Sequence, residues 1–344
     1  MPTTYAIIQG NKYMDATLYT GNGGTQSITN AGIFKPDLVW VKSRSAATDN
    51  KLTDSVRGVT KALISNTSGG ETTDSNGLTA FNTNGFTLGS DTNYNNNTAT
   101  YVGWQWQAGQ GNTVVNSTGT VTANVSTNTT AGFSVAKWTS TSTGAATIGH
   151  GLGVAPACIL IKLSSASGNF WTMYHQSLGN TTRLCINNTD PASAANANFW
   201  NNTSPTSSVF SVGQDSNTNG NSYVGYIWTP IAGFSQFGSY TGNGSADGPF
   251  IYTGFRPKFI LWKCTTTGAT DWDIYDSVRD PYNAANHRLI PDSSGAEQTL
   301  SPPTFDILSN GFKLRYGYSS SNNNGDNYIY AAFAETPFKY SNAR

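Results

Sequence analysis

The densest acidic group in the chain is Asp271-Trp-Asp273-Ile-Tyr-Asp276. Carboxylates at fixed separation are what glycoside hydrolysis requires, one as acid and one as base or nucleophile. Asp271 and Asp273 would share one strand face, with Trp272 and Ile274 on the other. An earlier stretch in the same context, Asp49-Asn-Lys-Leu-Thr-Asp54, has neither the Trp nor the doubled pair. A solvated strand face is therefore expected there, exposure being the usual state of Asp, and no catalytic residue is assigned. Asp215-Ser-Asn-Thr-Asn-Gly220 begins like a calcium loop, but its twelfth position is Tyr226, where a bidentate Glu belongs. A polar turn is expected instead, as at Asp91-Thr-Asn-Tyr-Asn-Asn-Asn97. His150, His175 and His287 share no spacing, and Gly149-His-Gly-Leu-Gly153 precedes a strand and opens no helix, so neither a triad, a metal motif nor a dinucleotide loop follows. Cys158, Cys185 and Cys264 lie in or beside apolar stretches and read as buried hydrophobes. No metal and no cofactor are expected.

Binding rather than bond-breaking is the chemistry that the aromatics offer, since Trp and Tyr stack on sugar faces while Asn and Asp bond hydroxyls. Trp40, Trp104, Trp106, Trp228 and Trp262 fall within strand patterns and are expected in cores. Trp171, Trp200, Trp272, Tyr316 and Tyr318 lie nearer turns and are the candidates for an exposed surface that meets glycan or protein.

The elements that must position these residues recur. Tyr19-Thr-Gly-Asn-Gly23 and Tyr240-Thr-Gly-Asn-Gly244 are identical, the mark of an internal copy. After the first comes Phe34-Lys-Pro-Asp-Leu-Val-Trp-Val-Lys42, and after the second Phe255-Arg-Pro-Lys-Phe-Ile-Leu-Trp-Lys263. Pro36, Pro156 and Pro257 each precede a lysine (Lys42, Lys162, Lys263) by the same interval. Asp54-Ser-Val-Arg57-Gly58 matches Asp276-Ser-Val-Arg279-Asp280, and His175-Gln-Ser-Leu-Gly179 holds the same place in the middle copy. Each copy then runs through a Gly-Phe or Val-Phe strand and closes on an aromatic one: Tyr101-Val-Gly-Trp-Gln-Trp106, Tyr223-Val-Gly-Tyr-Ile-Trp228 and Tyr328-Ile-Tyr-Ala-Ala-Phe333. Proline before an apolar run suits a strand start, and the first closing strand alternates with period two, as a half-buried strand does. The recurring lysines, and Arg57 and Arg279 beside Asp54 and Asp276, are expected to be architectural, because a ligand site needs only one good copy.

The expected fold is all-β: tandem antiparallel β-sandwich repeats of jelly-roll or lectin-like type, in three degenerate copies. The divisions are an N-terminal arm (1–15), a first repeat (16–108), a linker or extra strand (109–130), a divergent second repeat (131–230), a third repeat (231–338) and a C-terminal tail (339–344).

The Tyr-Thr-Gly-Asn-Gly, Phe34-to-Ser45, Asp-Ser-Val-Arg-Gly and Tyr-Val-Gly-Trp-Gln-Trp signatures together resemble a repeat domain found in structural proteins of tailed phages of aquatic bacteria. The resemblance is close over 16–108, good over 232–338 and weak over 130–230. It implies a virion component of the tail or tail-fibre region, with no known chemistry and no catalytic residue to carry over.

Composition agrees with a binding or building role. Charged residues are only 11% of the 344, nineteen basic against nineteen acidic, which leaves no electrostatic footprint for nucleic acid or anionic membrane. Weak mutual repulsion leaves self-association easy. The expected partners are other virion proteins, further copies of the chain in a trimer or ring, and host-surface glycan. The start of the chain has neither a basic segment nor a long apolar core, so cytoplasmic synthesis without a signal peptide is expected, followed by residence in a virion. The rival expectations are a host-glycan lectin or depolymerase and a capsid decoration or head-fibre protein.

Overall fold

The computed structural model describes residues 9–335. It is nearly all β and built from several antiparallel sheets, with helix confined to single turns such as Thr92–Asn95 and Ala197–Trp200. One four-strand order occurs three times. An opening strand (Met14–Thr20, Phe133–Thr139, Ser235–Thr241) pairs with a closing strand (Thr100–Trp106, Ser222–Trp228, Asn327–Ala334). The closing strand pairs in turn with a proline strand (Leu38–Ser43, Cys158–Leu163, Pro257–Cys264), and that with a fourth strand (Lys51–Asp54, Thr172–His175, Asp273–Asp276). Pro257 opens its strand, while Pro36 and Pro156 stand two residues ahead of theirs, where the missing N–H costs no ladder bond.

Glycine and asparagine make the Tyr-Thr-Gly-Asn-Gly turn structural. A Cβ on Gly21 would lie 2.2 Å from the Asn96 carbonyl oxygen, and one on Gly242 would lie 2.3 Å from that of Asn323. Gly23 and Gly244 have φ of 70° and 67°, which only glycine adopts at little cost. Tyr19 stacks on Tyr101 at 5.1 Å and Tyr240 on Tyr328 at 5.0 Å.

Each main sheet is apolar on both faces. A small sheet covers the outer face in the first segment, where Ile28, Leu78, Phe86 and Leu88 pack on Val39, Val41 and Tyr101. In the middle segment Ile148, Phe210 and Val212 cover Trp138, Ile159 and Ile161. In the last, Phe305 and Phe312 cover Trp262. The inner faces have no cover within their own segment and meet one another in the largest core of the molecule. At its centre Trp106 of the first segment contacts Trp228 of the middle one, and Phe259 and Phe333 of the last, edge to face at 5.4 to 6.2 Å. The packing leaves an apolar void of about 30 Å³ among Leu38, Trp106, Cys158, Trp228, Phe259 and Phe333.

This arrangement corrects two expectations and selects between the alternatives of a third. The first closing strand alternates as expected, Val102, Trp104 and Trp106 facing the central core and Tyr101 the outer one. It is not half-buried, however, because a second layer covers each face, and every residue from Tyr101 to Trp106 is buried. The arm expected over 1–15 is part of the body from Gly10 onward: Met14 pairs with Trp106, and Asp15 forms a buried ion pair with Lys258. Between 109 and 130 the chain is no free linker; Val114–Asn116 and Ala123–Asn128 extend the middle sheet. The Asp37 carboxylate fastens its start by accepting from the N–H groups of Ala108, Gln110 and Gly111 at 2.6 to 2.8 Å. The tail expected over 339–344 lies outside the described residues.

A core shared by all three segments should melt as one unit. Trp106→Ala is expected to cost about 3–5 kcal/mol, the usual range for deleting a buried Trp side chain. Unfolding should remain a single transition by both fluorescence and calorimetry; a separate melt of one segment would contradict the shared core.

Candidate functional site

The residues that recur in the sequence meet at the seams between segments. Asp54 Oδ1 accepts from the N–H groups of Val56 and Arg57, while Oδ2 takes the Arg57 guanidinium at 2.5 Å. Tyr226 of the middle segment donates its hydroxyl to the same Oδ2 at 2.8 Å. The last segment repeats this geometry: Asp276 holds Val278, Arg279 and its guanidinium at 2.6 Å. There the outside donor is the Trp104 indole of the first segment at 3.0 Å. Both pairs are fully buried. Burial alone would lower the pKa of Arg57, but Asp54, Tyr226 and Glu71 outweigh it and raise it further.

In the middle segment His175 replaces the aspartate. Its Nδ1 accepts from the Ser177 N–H at 3.2 Å, as Asp Oδ1 does elsewhere, which leaves Nε2 protonated to donate to the Tyr330 carbonyl of the last segment at 3.2 Å. Burial pushes its pKa down to about 4, so the ring is neutral at pH 7.

The lysines close the circuit in the other direction. Lys42 donates to the Ser294 carbonyl at 2.8 Å, Lys162 to that of Ser68 at 3.0 Å and Lys263 to that of Thr189 at 3.1 Å. First thus reaches last, middle reaches first, and last reaches middle. Each lysine also caps a carbonyl in its own following loop, Thr48, Asn169 or Thr270. Desolvation lowers all three pKa values, to about 8 for Lys42 and Lys162. Backbone bonds follow the same circuit: Glu71 N–H to Ser164, Ala192 to Thr265 and Glu297 to Arg44, at 2.8 to 3.0 Å.

Trp171, Trp200 and Trp272, expected at an exposed surface, are at most 1% exposed. Trp171 donates its indole N–H to Ile64 of the first segment at 2.8 Å, and Trp272 donates to Cys185 of the middle one at 2.9 Å. Asn50 fills the corresponding place in the first segment, with its amide 3.3 Å from Ile290 of the last. These residues each precede a fourth strand, so turn proximity brought them to a seam rather than to solvent. Trp200 packs edge-on against Tyr174 and donates to Thr182 at 2.9 Å. Only Tyr316 and Tyr318 keep a surface position, with ring centroids 4.6 Å apart and the Tyr318 hydroxyl on the Pro302 carbonyl.

The carboxylates of Asp271-Trp-Asp273-Ile-Tyr-Asp276 do not form the solvated face expected for them. Asp273 is buried between Arg288, at 2.5 Å, and the Trp262 indole N–H, at 3.0 Å. Asp271 shares Arg288, and Asp276 is held by Arg279. Asp215 sits in a short 3-10 turn, Gln214–Ser216, and pairs with Arg183 at 2.5 Å. The three cysteines are free and buried, and burial raises Cys158 to about 12 and Cys185 to about 11, so neither is a ready nucleophile. Missed from sequence was an open polar pocket of about 320 Å³ beside Arg183, lined by Asn169, Phe170, Gln214, Asp215 and Thr218. Its parts come from three separate loops, and no local motif announces it.

Two measurements follow from the seams. Asp276→Ala removes the nearer of the two carboxylates on Arg279 and leaves the Val278 N–H and the Trp104 indole without an acceptor. It should cost about 3–5 kcal/mol in urea unfolding, with Asp54→Ala behaving alike, and a loss under about 1 kcal/mol for both would mean the pairs are not what holds the seams. His175 binds a proton less readily folded than unfolded, so its contribution to stability is lost as pH falls from about 6.5 toward 4. Asp292, raised to about 7 by burial, has the opposite slope in that window. The test is therefore wild type against His175→Gln: the difference should move against wild type by about 1.4 kcal/mol per pH unit below pH 6, and a flat difference would show a solvated ring.

No curated protein matches the sequence significantly. One family model does match, and it runs through all three segments without interruption, from residue 9 to residue 337. By that match the chain belongs to the DUF7483 family, described as a domain of unknown function.

Proposed function

We propose that the chain is three degenerate copies of one antiparallel β-sandwich, closed around a common pseudo-threefold axis. We propose further that this body is a rigid, non-enzymatic structural and attachment component of a tailed-phage virion, in the tail or tail fibre. The observation that carries the reading is the cyclic set of seams, in which Lys42, Lys162 and Lys263 each bond a carbonyl of a different neighbour in the order first-last, middle-first, last-middle. Bonds of that kind at equivalent positions are what a homotrimer makes between subunits. Here they lie within one chain, so a single copy offers a threefold-like outline to a symmetric partner.

The internal use of charge supports the same role. Asp54, Arg57, Asp276, Arg279 and the three lysines are buried, and charge is scarce to begin with. The outer surface is left to Asn, Thr, Ser and Gly, which favours contact by shape and hydrogen bonding over electrostatic steering. The virion assignment rests on the resemblance carried by the Pro-to-Lys strands and the Asp-Ser-Val-Arg elements. Partners in this reading are other virion proteins and host-surface polysaccharide.

The test is binding of the purified chain to host cells and to their extracted polysaccharide, with released reducing sugar assayed in the same tube and solution mass determined alongside. Saturable binding without sugar release is the expected result. Sugar release would overturn the non-enzymatic reading, and failure to bind either the cells or their polysaccharide would overturn attachment.

A further inference from the structure

Arg183 and Arg288 occupy the same place in the middle and last segments, each one residue before a buried Leu (Leu184, Leu289), yet their surroundings differ. Arg288 is saturated by Asp271 and Asp273. The corresponding residues in the middle segment are Phe170 and Thr172, so Arg183 has lost both carboxylates. It retains a long contact of 3.4 Å to the Thr172 hydroxyl and takes Asp215 from a distant loop at 2.5 Å. Its Nε is buried and has no hydrogen-bond acceptor among the described residues, although a buried donor normally finds one. The guanidinium lies over two phenyl rings, 4.3 Å from the Phe199 centroid and 5.7 Å from that of Phe170. Phe199 is buried, whereas Phe170 is 43% exposed and presents its ring at the rim of the 320 Å³ pocket.

We propose that this pocket is a saccharide-binding site that takes one neutral hexose ring. Its volume falls at the lower end of small-ligand sites. Phe170 supplies an apolar face for the C–H side of a pyranose. The Asp215 carboxylate, with 30% of its side chain exposed, accepts from a sugar hydroxyl, and Gln214, Asn169 and Thr218 offer neutral donors and acceptors around it. Arg183 and Asp215 cancel in charge and the other lining groups are neutral, which favours an uncharged sugar over a uronate. The biological source of the sugar rests on the attachment reading above; the site's chemistry does not.

The experiment is saturation-transfer NMR on the full chain with glucose, galactose, mannose, N-acetylglucosamine and glucuronate, one at a time. At least one neutral sugar should receive saturation. Phe170→Ala should weaken its binding by about five- to tenfold, the worth of one aromatic contact. Asp215→Asn should weaken it as well, while Tyr282→Ala, at an exposed tyrosine on another segment, should leave it unchanged. Should Asp215→Asn unfold, Phe170→Ala carries the test, because that ring is 43% exposed and outside the three cores. No transfer to any neutral sugar, transfer to glucuronate alone, or binding indifferent to Phe170→Ala would each overturn the proposal. If no neutral sugar binds while host cells are bound, this site fails and attachment stands; if a neutral sugar binds here and cells are not bound, the reverse holds.

Discussion

Each main sheet in this chain has two apolar faces and only one cover of its own, and the rest of the architecture follows from that deficit. A face carrying Trp106, Trp228 or Phe333 cannot be left in water: exposing a side chain of that size forfeits about 1.5–3 kcal/mol or more. Three uncovered faces meeting in one core solve the problem together, with edge-to-face aromatic contacts across the centre. Two such faces would leave the third exposed, so all three segments have to meet in the one core.

Apolar surface alone does not fix how three faces meet, and the polar seams supply the register. The lysine head groups, the Trp171 and Trp272 indoles, and the Asp-Arg pairs with their outside donors satisfy buried groups only when the segments stand at one rotation and height. A slipped arrangement takes Trp104 from Asp276, Tyr226 from Asp54 and the Ser294 carbonyl from Lys42, and each buried polar group left without its partner costs about 1–3 kcal/mol. The four indole N–H groups of Trp40, Trp106, Trp138 and Trp228 that find no acceptor among the described residues sit against aromatic or aliphatic surface, where the ring's area outweighs one lost bond.

The proline, Gly-Phe and closing strands and their order were legible in the sequence because strand periodicity, proline placement and turn glycines are local signals, whereas the opening strands such as Met14–Thr20 were not read. The seams were not legible, since their partners lie far apart: Lys42 and Ser294 are separated by 252 residues, and Trp171 and Ile64 by 107. A usable signal was present all the same. Asn50, Trp171 and Trp272 each stand four residues before Asp54, His175 and Asp276. Recurrence at one offset argues for architecture in these residues as much as it does for the lysines, whereas proximity to a turn argues for exposure only when nothing packs over that turn. The Arg183 pocket lay beyond sequence reasoning for a different reason. It is defined by what the middle segment lacks relative to the last, and its Asp215 comes from a loop with another apparent purpose.

The middle segment's divergence then has a physical order. Where Asp54 and Asp276 receive a hydrogen bond from Tyr226 and Trp104, the residue of the last closing strand at that register is Ala331, and the recipient in the middle segment is His175, which turns to a backbone carbonyl instead. Loss of the donor and loss of the acceptor occur at the same seam, so neither leaves an orphaned charge. Lys162, Trp171 and the Ala192 backbone bond persist, and they keep the middle segment in register without the Asp-Arg pair. Positions 170 and 172, one of which is a buried carboxylate in the last segment, are thereby released from that duty. A segment held by the contacts it shares with its neighbours is the one whose own loops are free to change chemistry, and Arg183 stands where that freedom is greatest.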